Sequence, residues 1–280
     1  MAKSKWIIAL SLACLSCSAA AAQQETFHVA LDGTYAPMAM PKLGGGLQGF
    51  NVDLTHAIAK QMGVKIEITS SQFSGLIPAM QAGTYDFLVA PVTINKERAK
   101  HMLFAEGYLN TDYQFVTKKG APAAKSLKDF AGKVVAVNKG SNYDQWAREN
   151  AAKYHWKVAS YGTTSDSMQA LVSGRADAAL TGNTTAAWAV KKSPMLALSY
   201  RYDTGAVWSM PFRKDEVKLR NRVERAVECL KINGTLVKLS QKWFGTTPAK
   251  GSAAITPLPG YGQPGFEGYV KDSHQFSCKK

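Results

Sequence analysis

Thr93 and Arg98 are the residues whose types and placement most directly suggest chemistry. They follow the apolar run Phe87-Leu88-Val89-Ala90-Pro91-Val92, which is bounded by the turn-like Gly83-Thr84-Tyr85-Asp86 and reads as a buried strand. A hydroxyl just past such a strand, with a guanidinium in the next segment, suits the capture of a small carboxylate. The planar guanidinium matches a carboxylate in bidentate fashion. The competing reading of Lys96-Glu97-Arg98 is a charged surface loop.

The surrounding chain alternates strand-like and helix-like segments, which predicts an α/β fold. Phe27, Val29 and Leu31 alternate as a strand, followed by the loop Asp32-Gly33-Thr34-Tyr35-Ala36-Pro37. Leu54, Ala57, Ile58 and Met62 recur at helical spacing and stop at Gly63. A strand at Val64–Ile68 and a short helix over 74–82 come next. Gly44-Gly45-Gly46 reads as a hairpin turn, since no Lys-Ser/Thr follows it as a phosphate loop would require. Beyond a Lys-, Gly-, Pro- and Ala-rich stretch at 117–125, the pattern repeats. There is a strand at Val134–Val137, a helix with Trp146, a strand near Val158, a helix over 165–173 and a strand at 177–180. Two closing helices, 219–232 and 236–244, are split by Asn233-Gly234-Thr235. Residues 245–280 are Gly- and Pro-rich and read as an extended surface tail.

The first residues read as a targeting segment. A basic head with Lys3 and Lys5, an apolar core over 6–15 and small residues at Ala19–Ala22 predict a secretory signal at 1–22, removed on export. The four Cys then reduce to Cys229 and Cys278. An even pair in an oxidising compartment suggests one disulfide, with two free thiols as the alternative. The five His share no ligand spacing, so no metal site is expected, and no cofactor. The formal net charge is +14, but Lys and Arg are scattered, and no nucleic-acid motif is present. Nucleic acid is therefore not an expected partner.

Several motifs together resemble the bacterial extracellular solute-binding proteins of family 3, the amino-acid-binding components of ABC importers. They are Gly49-Phe50-Asn51-Val52-Asp53-Leu54, Gly75–Gly83, Val92-Thr93-Ile94 with Glu97-Arg98, Gly174–Ala178, Leu230–Thr235 and Lys242-Trp243-Phe244-Gly245. Asn51 departs from the acid usual at its position. The resemblance covers about 27–245 and implies a two-lobed periplasmic-binding-protein fold of type II. The implied first lobe is 27–115 with 207–245, and the second is 116–206. Hinge strands are implied near Gln114–Val116 and Gly205–Val207, and residues 246–280 form an extension. It also implies a monomer in the periplasm that binds a small molecule and docks with an inner-membrane permease.

The resemblance further implies a ligand-binding set. Arg98 and Thr93 would hold a carboxylate, with Ala90 beside them and Pro91 contributing shape only. Tyr35 and Phe73 would be aromatic walls, and Asp32 would touch the rest of the ligand. Ser141 and Asn142 would donate from the opposite lobe, with Lys139 nearby favouring an acidic or amide side chain. The main departure is Gly182, where many amino-acid binders place an Asp for the ligand's ammonium. Asp32 is then the nearest substitute. No catalytic residue is expected. The competing functions are an enzyme resembling the cyclohexadienyl dehydratases, which would need a general acid or base in the cleft, and a ligand-sensing module.

Overall fold

The structure is a computed structural model, and it describes residues 24–278. The signal expected at 1–22 lies outside the described residues. Along the chain come β1 (Thr26–Leu31), β2 (Met40–Pro41), β3 (Leu47–Gln48), α1 (Phe50–Met62), β4 (Lys65–Ser70), α2 (Phe73–Gln81), β5 (Phe87–Leu88), β6 (Val92–Thr93), α3 (Lys96–His101) and β7 (Leu103–Phe104). Then follow β8 (Leu109–Lys118), β9 (Val134–Asn138), α4 (Asn142–Tyr154), β10 (Lys157–Tyr161), α5 (Thr164–Ser173), β11 (Ala178–Gly182) and α6 (Asn183–Lys192). The chain closes with β12 (Leu196–Ser209), β13 (Pro211–Phe212), α7 (Val217–Ile232) and α8 (Thr235–Phe244).

Two sheets organise these elements into two lobes. The first has the order β4-β1-β5-β13-β7, and the second β10-β9-β11-β8-β12-β6. β1 runs parallel to β4 and β5, and β9 runs parallel to β10 and β11. Ligands bind beyond the carboxyl ends of such strands. Those ends are the Asp32 loop after β1, the Gly140 turn after β9 and Gly182 at the end of β11.

The run at 87–92 is not one strand. Phe87–Leu88 belongs to the first sheet, whereas Val92–Thr93 pairs with Ser209–Trp208 in the second. Asn51 explains how the chain is held between them. Its amide donates to the Val89 carbonyl and to Tyr108 Oη, each at 2.7 Å, with Asn51 fully buried. An ionised aspartate has no donor for the Val89 carbonyl, so the departure at Asn51 has a local physical reason. Asp53, two residues on, accepts from Lys242 Nζ and Trp243 Nε1 at 2.7 Å, fastening α1 to α8. Phe50 completes that joint, with its ring centroid 4.9 Å from Phe244. Fully burying such a side chain contributes about 1.5–3 kcal/mol.

The segment Gln114–Val116, expected near a hinge, is paired within the second sheet to Thr181–Ala179. The strands enter that sheet earlier, where Leu109–Thr111 pair with Trp208–Ala206.

The tail after α8 is not merely superficial. Among its described residues it carries no helix, but Ala254, Tyr261 and Gly262 are buried. Beneath it lie charges from α7 and the loop before β8. Lys231 Nζ sits 2.7 Å from Glu106 Oε1 with both side chains inaccessible, and donates to the Gly107 and Thr256 carbonyls. Glu106 accepts from Leu258 N at 2.6 Å. Arg220 donates to Phe104 O and Gly268 O at 3.1 Å. Glu224 accepts from Gly262 N at 2.7 Å, and burial pushes its carboxyl up to about 8. His274 lies 3.0 Å from Glu228 and stacks on Tyr261.

A disulfide joins Cys229 in α7 to Cys278, across a sequence separation of 49. Closing a loop of that length restricts the unfolded chain. Replacing both cysteines by alanine is therefore expected to remove about 2–4 kcal/mol of unfolding stability, read by chemical denaturation against the oxidised parent.

Candidate functional site

Tyr35, Phe73, Thr93, Arg98, Ser141 and Asn142 come together around one cavity between the two sheets, joined by Pro91, Asn138 and Tyr143. Their positions follow from local structure. Asn95 caps α3, accepting from Arg98 N at 2.7 Å, and so fixes the first turn that carries Arg98. Ser141 caps α4 by accepting from Asp144 N at 3.1 Å. Gly140 precedes it with φ +74°, and a Cβ there would stand 3.2 Å from Ser74 Cα across the cleft. Only glycine meets both the left-handed backbone and the close approach.

Arg98 is not in a solvated loop; it is 9% exposed. Its Nη1 donates to Thr93 O at 3.2 Å and its Nη2 to Gly140 O at 3.3 Å, so it spans both lobes. The Phe73 ring lies 5.9 Å from Cζ. No carboxylate among the described residues forms an ion pair with it, and burial pushes its guanidinium down to about 10. A guanidinium so placed is charged at neutral pH and lacks an anion.

Further contacts bridge the cleft. Asn95 Nδ2 donates to Asn142 Oδ1 at 2.7 Å, and Asn142 is held from within its own lobe by donating its Nδ2 to Tyr113 Oη. The Tyr35 and Thr181 hydroxyls are 3.3 Å apart. Asn138 Nδ2 reaches Asp32 Oδ2 at 3.4 Å, so Asp32 adjoins the cavity through Asn138. Burial raises the phenol pKa of both Tyr35 and Tyr143, keeping them neutral donors.

Three expected positions fall elsewhere. Ala90 is fully buried behind the cavity, and its neighbour Pro91 provides the lining. Lys139 is exposed and is not among the residues lining the cavity. Gly182 ends β11 behind the wall: a Cβ there would meet Trp208 Cζ2 at 2.6 Å and Tyr143 Oη at 2.7 Å. Trp208, Tyr143, Tyr113 and Asn95 were not foreseen. Asn95 carried a legible signal, being an N-cap residue ahead of Lys-Glu-Arg. The aromatic residues carried none, because an aromatic in a strand or helix normally reads as core.

Among the described residues no group of His, Cys, Asp and Glu could hold a metal ion, and no helix is long and apolar enough to cross a membrane.

Comparison with known proteins gives a consistent result. The family model described as bacterial extracellular solute-binding proteins, family 3, matches residues 27–246. The L-cystine-binding protein TcyJ of Escherichia coli (strain K12) is 31% identical over 230 residues, covering 81% of this chain and 86% of that protein. The structure of an ancestral arginine-binding protein bound to arginine superposes with a TM-score of 0.76 at 36% identity, covering 79% of this chain and 99% of that one. The structure of the ancestral amino acid-binding protein AncCDT-1, a precursor of cyclohexadienyl dehydratase, gives a TM-score of 0.73 at 32% identity, covering 78% of this chain and 95% of that one. With a family model that matches residues 27–246, across both lobes, this chain belongs to the bacterial extracellular solute-binding proteins of family 3.

Proposed function

We propose that this protein captures a small carboxylate-bearing solute, a polar amino acid, by closing its two lobes around it and delivers it to an ABC permease in the inner membrane. The observation that carries this reading is Arg98, a buried guanidinium whose hydrogen-bond acceptors among the described residues are carbonyls alone. Burying a cation without an anion is costly, so such a group is retained where a ligand supplies the anion. Thr93, Ser141 and Asn142 surround that place, with Tyr35 and Phe73 as walls. The pairing of Leu109–Thr111 with Trp208–Ala206 supports crossing strands there between a first lobe, which includes 207–245, and a second.

The residues lining the cavity include no His, Glu or Asp. That supports a protein that binds without catalysing, since a dehydratase would need a general acid or base against its substrate. The signal expected at 1–22 and the family's extracellular character support action in the periplasm. A thermal-shift screen of amino acids and small organic acids tests the reading. Ligand binding to the folded state raises the melting temperature, so at least one carboxylate compound is expected to do so. A flat response across the whole panel would overturn the reading.

A further inference from the structure

Many of the Lys and Arg residues that are scattered along the sequence gather at one end of the second lobe. The strand registers bring them together. β9 and β10 run parallel with Lys157 opposite Val134, and β11 begins at Ala178 opposite Val135. β8 runs the other way, with Thr117 opposite Ala178. Lys118, Lys133 and Lys157 therefore share the end of the sheet that lies opposite the cleft. The helices return to the same end: α4 finishes at Lys153 and Tyr154, α5 leads into Arg175, and α6 finishes at Lys191 and Lys192. The link from β8 to β9 adds Lys119, Lys125 and Lys128.

None of these side chains forms an ion pair among the described residues; the ion pairs of this lobe are made by Arg148 and Arg201. The carboxylates at the same end, Asp129 and Asp177, are outnumbered and turned to the backbone. Asp129 accepts from Lys125 N at 2.7 Å and Ser126 N at 2.9 Å, and Asp177 accepts from Val134 N at 2.8 Å. In the first lobe and the tail, by contrast, Lys65, Lys100, Lys214, Lys231 and Lys242 each face a carboxylate. Helix dipoles explain part of the pattern, since Lys153, Lys191 and Lys192 lie in last turns, where cations are favoured. Lys118, Lys119, Lys125, Lys133 and Lys157 lie on strand ends and loops, where no helix end favours them.

We propose that this end of the second lobe is a docking surface for an anionic lipid bilayer, held by attraction to its phosphate headgroups. The proposal goes beyond the function proposed above and does not depend on what the cleft holds. The composition of the surface favours a bilayer over a single structured anion. Its cations are Lys with the one exception of Arg175, and Lys is a flexible point charge, whereas a bidentate phosphate site is built from the planar fork of Arg. They come from separate strands, helices and loops, so they present a diffuse field that suits a fluid array of headgroups. Clusters of about four to eight Lys and Arg are enough to attract acidic lipids. Met195, whose carbonyl accepts from Lys119 N at 2.8 Å, exposes its apolar side chain among these charges, where it can enter the headgroup layer. Docked in this way, the lobe turns its cleft end away from the bilayer and leaves the first lobe free to close.

Co-sedimentation of the mature protein with lipid vesicles tests this. Vesicles of about one part phosphatidylglycerol to two parts phosphatidylcholine are expected to bind it at least about tenfold more tightly than phosphatidylcholine alone. That binding is expected to disappear when salt is raised from about 0.05 M to about 0.5 M, because exposed charges are then screened. The combined variant Lys125→Gln/Lys128→Gln/Lys133→Gln/Lys157→Gln changes only exposed side chains. It is expected to bind the anionic vesicles at least about tenfold more weakly and to melt with the parent. The control Lys42→Gln/Lys60→Gln/Lys218→Gln/Lys238→Gln lowers the net charge equally through exposed, unpaired lysines of the first lobe, and is expected to lose less than about threefold. Equal losses in the two variants would overturn the proposal, because net charge and not this surface would then carry the binding. It would also fall if the two lipid compositions bound equally, or if the anionic vesicles bound nothing at low salt. Tight binding to a short DNA duplex with none to the vesicles would overturn it in favour of nucleic acid.

Discussion

Arg98→Ala is expected to lower affinity for the captured solute at least tenfold, with the variant still folded. The expectation follows from what surrounds the side chain. Thr93 and Gly140 offer carbonyl oxygens only, and the guanidinium is buried between the lobes. In the proposed function a ligand carboxylate is its anionic partner, and truncating one member of a buried hydrogen-bonded charge pair costs about 2–5 kcal/mol. The local fold should survive. α3 is held by the Asn95 cap through the Arg98 backbone amide, which alanine retains. Losing a cation that is unpaired in the free protein also removes a burial penalty, so the free variant is expected to melt no lower than the parent. Calorimetry and a melt of each protein without ligand read both halves. Unchanged affinity in a folded variant would refute the assignment of Arg98.

The largest expected effect on stability lies far from the cleft. Lys231→Met leaves Glu106 buried against Leu258 N with no cation, and frees the Gly107 and Thr256 carbonyls that Lys231 held. Breaking one side of a buried pair in this way costs about 3–5 kcal/mol. The double change Lys231→Met/Glu106→Gln is expected to recover part of that loss, because it removes both charges. Urea denaturation of the two variants reads the difference. A single variant as stable as the parent would show that the tail does not depend on this pair. The pair matters because Gly107 and Thr256 join the start of the crossing strand β8 to the tail, which the Cys229–Cys278 disulfide then fastens to α7.

Much of this was legible in the sequence because it is local. Hydrophobic spacing gave the helices ending at 62, 232 and 244 to within a few residues of the observed elements, and marked the helix around Trp146 without its bounds. The triple glycine marked the β2–β3 hairpin. Thr93-x-x-x-x-Arg98 left open a carboxylate grip or a charged surface loop, and the burial of Arg98 removes the loop. Other features depended on segments distant in sequence. The run at 87–92 reads as one strand by periodicity, yet Asn51, α1's own residue, holds the Val89 carbonyl between two sheets. The charges of α7 read as an ordinary polar helix face, and only the packing of residues 254–278 buries Arg220, Glu224, Glu228 and Lys231.

The residue types and their order determined a two-lobed α/β binding protein of this family with an arginine-centred site, since periodicity, capping and motif spacing are properties of neighbouring residues. Tertiary structure alone decided the charge balance of that site. It closed the space beside Gly182 with Trp208 from β12 and Tyr143 from α4, and it left Arg98 and Asp32 as opposite, unpaired charges at one cleft. Whether a buried charge is neutralised depends on every group within a few ångströms. Those groups come from β1, α3, β9, β11 and β12, which no local pattern relates.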